Sequence, residues 1–494
     1  MPRTIGALFA SALALIISYP QIQWWPLAWV ALVPYLLVLD TKTYRAAFGW
    51  SFVLGFVFFF GTLGWLVYVS PAAIFVFLYL ALYFSFFGLA FKFFQPLLLL
   101  GRLFILPAAW VLLEFVRDHL FTGFGWAMLG YSQAPNLLLI QIADITGVYG
   151  VSFLVVMVNV LVFESIKSGS DNVSQIRRAQ VLVIGILLAV LAYGFWRLAS
   201  APNLRTVMIG VVQPNIPQNV KWDTSYQPWI VQKTIRLSQD LKNDKPDLIV
   251  WPETSIPAVI SDMPELVGAV KLTAKNLRTP VLFGGVTDEN ARYYNSAYLV
   301  STGGEIVQRY DKIHLVPFGE FFPFRPLLGW IYKYVGLDDF TSGQTYTIFQ
   351  AGNPPARFGV LICFEDTLGY LRRNFVKAGA QFFVNMTNDA WFLDTKAPFM
   401  HLQAAVFGCV ENKRSLVRAA NTGFSGFIDP YGRIIAAVEN ARHKKTFVDG
   451  TALARVPVAD EKTFYTKYGD VFTALCLFVI LAILLQMRCR AIRP

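Results

Sequence analysis

Charged residues are scarce in this chain, and cysteine and histidine scarcer still. Asp, Glu, Lys and Arg make up 15% of its 494 residues, against 55% hydrophobic and 16% aromatic, and the mean hydropathy is +0.50. That composition is too apolar for an ordinary soluble enzyme. The four cysteines, Cys363, Cys409, Cys476 and Cys489, form no CxxC pair and no even-numbered framework, which argues against a disulfide scaffold. Four histidines, His119, His314, His401 and His443, have no zinc-ligand spacing. A Gly-rich phosphate loop, an internal repeat and a low-complexity segment are missing as well.

The apolar residues are unevenly placed. A bilayer span takes roughly 20 apolar residues. On that criterion helices are expected near 5–20, 24–39, 48–70, 72–94, 104–120, 150–167, 179–197 and 469–488, the first two of them short. Residues 1–200 then form a transmembrane bundle of about seven helices, 201–465 a globular domain, and 466–494 a last helix with a short basic tail. Lys and Arg occupy alternate connections: Arg3, Lys42 and Arg45, Lys92 and Arg102, Lys167 with Arg177 and Arg178, and Arg488, Arg490 and Arg493. The intervening loops carry none, so the positive-inside rule puts both termini in the cytoplasm and the globular domain outside. These eleven basic residues, offset by Asp40 and Asp171, leave nine of the eleven formal positive charges. The basic balance is therefore a topological signal and gives no reason to propose nucleic acid as a partner. Arg3 and the apolar run after it resemble a signal peptide without an evident cleavage site, and the segment is read as retained.

One membrane stretch departs from apolar scaffold. Glu114, Arg117 and Asp118 share a helical face, followed by the Gly- and aromatic-rich loop Thr122-Gly123-Phe124-Gly125-Trp126 to Gln133. Ionisable groups in a span face the bundle interior and pair or serve a function. Either reading suits this cluster.

From Arg205 the pattern becomes short β-rich runs separated by helical ones. Strands are expected at Thr206–Val212, Leu248–Trp251, Val281–Val286, Ala297–Ser301, Val360–Cys363 and Phe382–Asn385, and helices at Ser225–Asn243, Met263–Asn276 and His401–Arg414. Alternation of this kind indicates an α/β layered domain whose reactive residues gather at the carboxyl ends of strands. Three such ends carry chemistry. Leu248 to Trp251 runs into Pro252 and then Glu253, a carboxylate placed at a lip where a general base needs a raised pKa. Lys312 lies among apolar residues, able to stabilise an oxyanion, and Glu320 follows a Pro-Phe-Gly turn; charges in such surroundings are normally paired. Val360-Leu361-Ile362 ends on Cys363, then Phe364, Glu365 and Asp366. A free cysteine alone is as readily a buried space-filler. A Cys-His dyad using His314 or His401 is the mechanistic alternative.

Trp-Pro-Glu253, Asp-Lys312-Ile-His-Leu-Val-Pro-Phe-Gly-Glu320 and Ile-Cys363-Phe-Glu365, in that order, resemble the Glu-Lys-Cys triad of the nitrilase superfamily. With the membrane spans, the Thr122-Gly123-Phe124 and Gly130-Tyr131-Ser132-Gln133 motifs, Lys221-Trp222-Asp223, Asn388-Asp389-Ala390-Trp391-Phe392 and Arg418-Ala419-Ala420-Asn421-Thr422-Gly423, the chain is similar to the bacterial apolipoprotein N-acyltransferases from end to end. Phe364 stands where some members carry a tyrosine.

The resemblance implies an α/β fold: a nitrilase-like αββα sandwich inserted between the helices of an eight-helix membrane bundle. It implies a multi-pass protein of the bacterial inner membrane with a periplasmic catalytic domain. The implied reaction is ping-pong N-acyl transfer. Cys363 attacks the sn-1 ester of a phospholipid, commonly phosphatidylethanolamine, and the resulting thioester passes its acyl chain to the α-amine of a diacylglyceryl-cysteine on an apolipoprotein. Glu253 is the implied base, Lys312 with the N–H after Cys363 the oxyanion site, Glu320 an orienting group, and Glu365 a supporting one. No metal or cofactor is implied, since a thioester is already activated, and nothing requires more than a monomer. Aromatic stretches are expected as lids: Trp222, the segment Phe318–Val335 with Phe321 and Trp330, and Trp391 with its neighbours. Two rival readings are a membrane-tethered amidase with water as acceptor and a lipid-binding transporter; the second lacks an evident inverted repeat.

Overall fold

A computed structural model describes residues 1–168, 172–323 and 339–492. The chain divides into two compact units, residues 1–202 with 463–494 and residues 203–462.

The first unit is helical. Its longer helices are α1 (Pro2–Ile17), α2 (Val33–Asp40), α3 (Tyr44–Leu63), α4 (Ala73–Phe94), α5 (Leu99–His119), α6 (Val148–Ser168), α7 (Val173–Ala199) and a C-terminal helix (Val471–Ile492). Six of these, α3 to α7 and the C-terminal helix, are long and apolar enough to cross a membrane among the described residues. The expected span at 24–39 is not one helix. Pro26 and Pro34 each lack an amide hydrogen, so the segment folds as a 3-10 turn, Trp25–Trp29, followed by the eight-residue α2. Polar backbone freed in apolar surroundings must find a partner. Buried Asn159 of α6 supplies it, accepting from Leu32 N and donating to Ala28 O, both at 2.8 Å. Where α3 meets α4, Gly55 permits the approach: a Cβ there would stand 2.9 Å from Phe84 Cβ.

The Glu114 cluster is closed by its own loop. Glu114 accepts from Trp110 Nε1 at 3.0 Å and Leu129 N at 2.7 Å, Arg117 donates to Trp126 O at 2.8 Å, and Tyr149 donates to Asp118 at 2.9 Å. The Gly- and aromatic-rich loop thereby folds back onto the face that carries the charges.

Among its described residues the second unit holds twelve strands: β1 (Thr206–Gln213), β2 (Leu248–Val250), β3 (Val281–Glu289), β4 (Arg292–Val300), β5 (Ile306–Asp311), β6 (Ile348–Ala351), β7 (Ala356–Ile362), β8 (Phe382–Thr387), β9 (Ser415–Ala420), β10 (Gly426–Ile428), β11 (Ile434–Ala437) and β12 (Gly450–Pro457). They form two six-stranded sheets, ordered β12-β1-β2-β3-β4-β5 and β11-β10-β9-β8-β7-β6. In each, three central strands are parallel, β1 with β2 and β3, and β7 with β8 and β9. The sheets face each other, β1 against β9 and β4 against β7. Helices α8 (Gln227–Gln239) and α9 (Pro264–Leu277) cover the first sheet; α10 (Gly369–Lys377) and α11 (Ala397–Asn412) belong to the second.

The result is an αββα sandwich. All six expected strands and the three expected helices form, with ends shifted by a few residues. On the first sheet Ile249, Trp251, Val281 and Phe283 pack against Val231 and Leu237 of α8 and Val267, Val270 and Ala274 of α9. Each such side chain contributes about 1.5–3 kcal/mol by leaving water. The Trp251 indole N–H is met inside that core by Ser238 Oγ at 2.9 Å. Parallel strands place their carboxyl ends together, which brings Glu253 and Cys363 to one rim with the end of β5.

Candidate active site

Glu253 owes its place to a strand that stops. Trp251 N still bonds Leu282 O at 2.9 Å, but Pro252 offers no donor and the next ladder bond is Ile256 N to Gly284 O at 3.0 Å. Between them the chain turns outward, with Thr254 at φ +45°. Gly284 makes room, because a Cβ there would lie 2.5 Å from Thr254 N. Gly284→Ala should therefore cost about 1–3 kcal/mol, the range for overpacking, and lower activity at least tenfold. Chemical unfolding and initial rates check this, and a fully active variant of normal stability would show that the turn is not seated there.

Lys312 follows β5 directly and is completely buried. Its ammonium lies 2.8 Å from Glu320 and 4.0 Å from Glu253. Glu320 is aimed by its own loop, accepting from Val316 N at 2.8 Å. Asn295 of β4 joins the two acids: its Nδ2 donates to Glu253 at 2.8 Å and to Glu320 at 3.0 Å, and its backbone carbonyl accepts from Lys312 N at 2.9 Å. A second cation stands by. Lys221 Nζ donates to the backbone carbonyl of Glu253 at 3.0 Å.

Cys363 begins the 3-10 turn after β7 and sits at φ +54°. A non-glycine residue there stores about 1–3 kcal/mol of backbone strain that its surroundings must hold. Buried Glu365 does much of the holding. It accepts from Ile362 N at 2.8 Å beside Cys363, and from Ile313 N at 2.8 Å and His314 N at 2.9 Å beside Lys312. Both its oxygens also take the Tyr310 hydroxyl, at 2.9 Å. One carboxylate thus ties the lysine loop to the cysteine turn. Phe364 is half-buried with its ring against His314.

The electrostatics follow from burial among paired charges. Burial pushes the Glu253 carboxyl above the usual carboxylate range and Glu320 adds to that, while Lys312, Asn295 and Lys221 pull it back in part. Burial is also the largest influence on Lys312, pushing it down, but Glu320, Glu253 and Cys363 together hold the ammonium above its ordinary value. Lys221, less well compensated, is pushed by burial down to about 8. Burial carries Glu365 up to about 7 against its backbone donors. The Cys363 thiol is raised well above normal, first by burial and then by the charges of Glu253 and Asp389, with Lys312 opposing. At rest the site holds a thiol, a fixed ammonium and a base that binds protons more readily than a free carboxylate does.

His401 is committed elsewhere. Its Nε2 lies 2.5 Å from Asp366, and its Nδ1 lies 2.6 Å from Arg418 Nη2 and 3.4 Å from Asp389, which leaves neither nitrogen for the thiol. His314 Nδ1 meets Tyr370 Oη at 2.9 Å.

Of the expected lid residues, Trp222 is 44% and Trp391 47% exposed. Phe321 is half-buried, its carbonyl accepting from Phe318 N at 2.8 Å. Trp330 lies outside the described residues.

Residues 11–161 match the model of the apolipoprotein N-acyltransferase N-terminal domain, and residues 208–459 that of the carbon-nitrogen hydrolases. The apolipoprotein N-acyltransferase of Geobacter metallireducens is 38% identical over 488 residues, which cover 94% of this chain and 92% of that protein. The chain belongs to the apolipoprotein N-acyltransferase family. A second relative, the apolipoprotein N-acyltransferase of Chlorobaculum tepidum, is 30% identical, with 96% of this chain and 94% of that protein covered. Among solved structures, an amidase from Nesterenkonia sp. covers 55% of this chain and 96% of its own, at 14% identity and a TM-score of 0.40. As an apolipoprotein N-acyltransferase family member the chain is part of the nitrilase superfamily, and its six long apolar helices make it a multi-pass bacterial membrane protein.

Asn295 and Lys221 were not legible as site residues. Asn295 sits mid-strand in an unremarkable Tyr-Asn-Ser run, and Lys221, although part of the Lys-Trp-Asp motif, gave no sign of which backbone it holds.

Proposed function

We propose that the chain performs N-acyl transfer in lipoprotein maturation, from a phospholipid to an apolipoprotein, through a thioester on Cys363. The observation that carries this reading is the buried Lys312 ammonium held between Glu320 and Glu253 at the rim where β7 delivers a thiol.

In the first half-reaction Cys363 Sγ attacks the carbonyl carbon of the sn-1 ester while Glu253 takes the thiol proton. The tetrahedral oxyanion forms against Lys312, whose charge is already in position and needs no reorganisation. Collapse breaks the bond to the glycerol oxygen, which leaves with the proton from Glu253 as the alcohol of a lysophospholipid. In the second half-reaction the α-amine of the diacylglyceryl-cysteine attacks the thioester, Glu253 takes the amine proton and returns it to sulfur, and an amide remains. A covalent nucleophile divides one difficult transfer into two easier ones. Glu320 and Asn295 keep Lys312 and Glu253 apart and oriented. A raised thiol suits this scheme: no thiolate stands exposed to oxidation, and deprotonation accompanies attack.

The donor is phosphatidylethanolamine, the catalytic unit is periplasmic, both termini are cytoplasmic, and the working unit is a monomer in the inner membrane. Trp222, Phe321 and Trp391 border the route of the acyl chains.

The test is intact-protein mass spectrometry of the detergent-solubilised chain after incubation with phosphatidylethanolamine. Added mass of one acyl chain, discharged by a diacylated lipopeptide with formation of the triacylated product, is the expected result. An adduct discharged by water at the same rate with or without lipopeptide would replace transfer by hydrolysis.

A further inference from the structure

Behind Cys363 lies a cluster of buried ionisable side chains that the transfer steps do not use: Asp366, Asp389, His401 and Arg418. Arg418, in the middle of β9, is its centre. Nη1 donates to Asp366 at 2.6 Å and to Asn385 Oδ1 at 2.9 Å, and Nη2 donates to Asp389 at 3.2 Å. Two lines run from this fork to the cysteine. Asn385, its oxygen taken by Arg418, turns its Nδ2 to the carbonyl of Cys363 at 2.9 Å and of Leu361 at 3.2 Å. Asp389 accepts the Thr387 hydroxyl at 3.0 Å, and that same hydroxyl stands beside the Cys363 sulfur, where it works against the upward push of burial on the thiol.

Hydrogen-bond direction decides what the second line does. Burial pushes Asp389 up, but Arg418 and His401 outweigh it and hold the carboxyl down at about 2, so it is ionised and can only accept. Asp389 and the sulfur therefore share the one Thr387 proton: it points to Asp389 while Cys363 is a thiol and turns to the sulfur as the thiol ionises, which opposes the upward push of burial. A buried ion network is commonly no more than structural. This one ends twice on atoms of a single residue, whose backbone is strained at φ +54°.

We infer that Arg418 is a positioning residue for Cys363, fixing its backbone through Asn385 and its thiol through Asp389 and Thr387. The inference rests on the reading of Cys363 as nucleophile. It treats Arg418 as acting through other groups, since none of its nitrogens is bonded to the thiol. The thiol also faces Glu253, Lys312 and Lys221, and all three stay in place in the variants that test it.

Thr387→Val and Asn385→Ala each cut one line, and Arg418→Lys keeps the charge without the fork. Two measurements are made on the full-length chain in detergent: single-turnover acylation of Cys363 over a range of phosphatidylethanolamine concentrations, and iodoacetamide alkylation of Cys363 as a function of pH. Each of the first two variants should lower the limiting acylation rate ten- to a hundredfold with the half-saturating donor concentration unchanged, and Arg418→Lys should fall at least as far. Thr387→Val should also move the alkylation midpoint to higher pH, because the hydroxyl that favours the ionised sulfur is gone. Folded Thr387→Val and Asn385→Ala variants that acylate within twofold of wild type would overturn the inference, as would a midpoint displaced to lower pH. Alkylation needs no lipid donor, so a wild type that never acylates sinks the transfer reading while the pH profile still decides the positioning role.

Discussion

Cys363→Ala should abolish acyl transfer while leaving the fold intact. With the thiol goes the nucleophile of the proposed transfer, and the residual rate expected is that of direct attack by the amine on a phospholipid ester held near Lys312. Loss of a catalytic nucleophile costs on the order of 10⁵-fold, about 7 kcal/mol of transition-state stabilisation. Little structural penalty is expected. Cys363 is half-buried, alanine meets the same positive-φ backbone that cysteine does, and Asn385 and Glu365 bind backbone atoms that the substitution keeps. Intact mass after incubation with phosphatidylethanolamine is the direct check: one acyl chain added to wild type and none to the variant. Cys409 is the built-in control within the same unit. It is buried in α11 with its thiol raised by burial, so an adduct mapped to Cys409, or a Cys363→Ala protein that still acylates, would remove Cys363 from the mechanism.

What could be read from the sequence had local causes. Apolar runs ending on Pro252-Glu253 and on Ile362-Cys363 mark strand ends whatever the rest of the chain does, and strands alternating with helices indicate an α/β layered domain, while the αββα arrangement was implied by the family resemblance. What escaped depends on partners far away in the chain. β9 carries Arg418 at its centre, and a charged residue in a short run does not read as a core strand. The structure buries it completely because Asp366 and Asp389, 52 and 29 residues earlier, neutralise it. β5 was missed for a similar reason, since Gln308 and Arg309 interrupt its apolar pattern and Arg309 is paired with Asp311 and Glu289. Asn295 acquires a role only when β4 and β5 pair and bring Lys312 beside it. The span expected at 24–39 failed on a signal that was present: two prolines in an apolar stretch, outweighed by hydropathy in the reading and decisive in the fold.

Glu253→Gln should separate proton transfer from charge, because the two act on Cys363 in opposite directions. As base, Glu253 must be ionised to accept the thiol proton, and burial holds its carboxyl above the usual range. Acylation by wild type should therefore rise with pH through that elevated value, and an amide in its place removes both the limb and the catalysis. Loss of a positioned general base costs roughly 10²–10⁴-fold. As charge, however, Glu253 raises the Cys363 thiol, with only burial counting for more. Glutamine relieves that repulsion, while Lys312 keeps its ion pair with Glu320 at 2.8 Å and remains a cation beside the sulfur. The thiol of the variant should thus ionise at lower pH and react faster with iodoacetamide at neutral pH than wild type does, although it transfers acyl chains far more slowly. A general disturbance of the site would depress both reactions together. Parallel stopped-flow acylation and iodoacetamide rates, followed from pH 5 to 9, decide the matter: a drop in both shows that Glu253 organises the site without serving as its base, and unchanged acylation would mean that another group takes the proton.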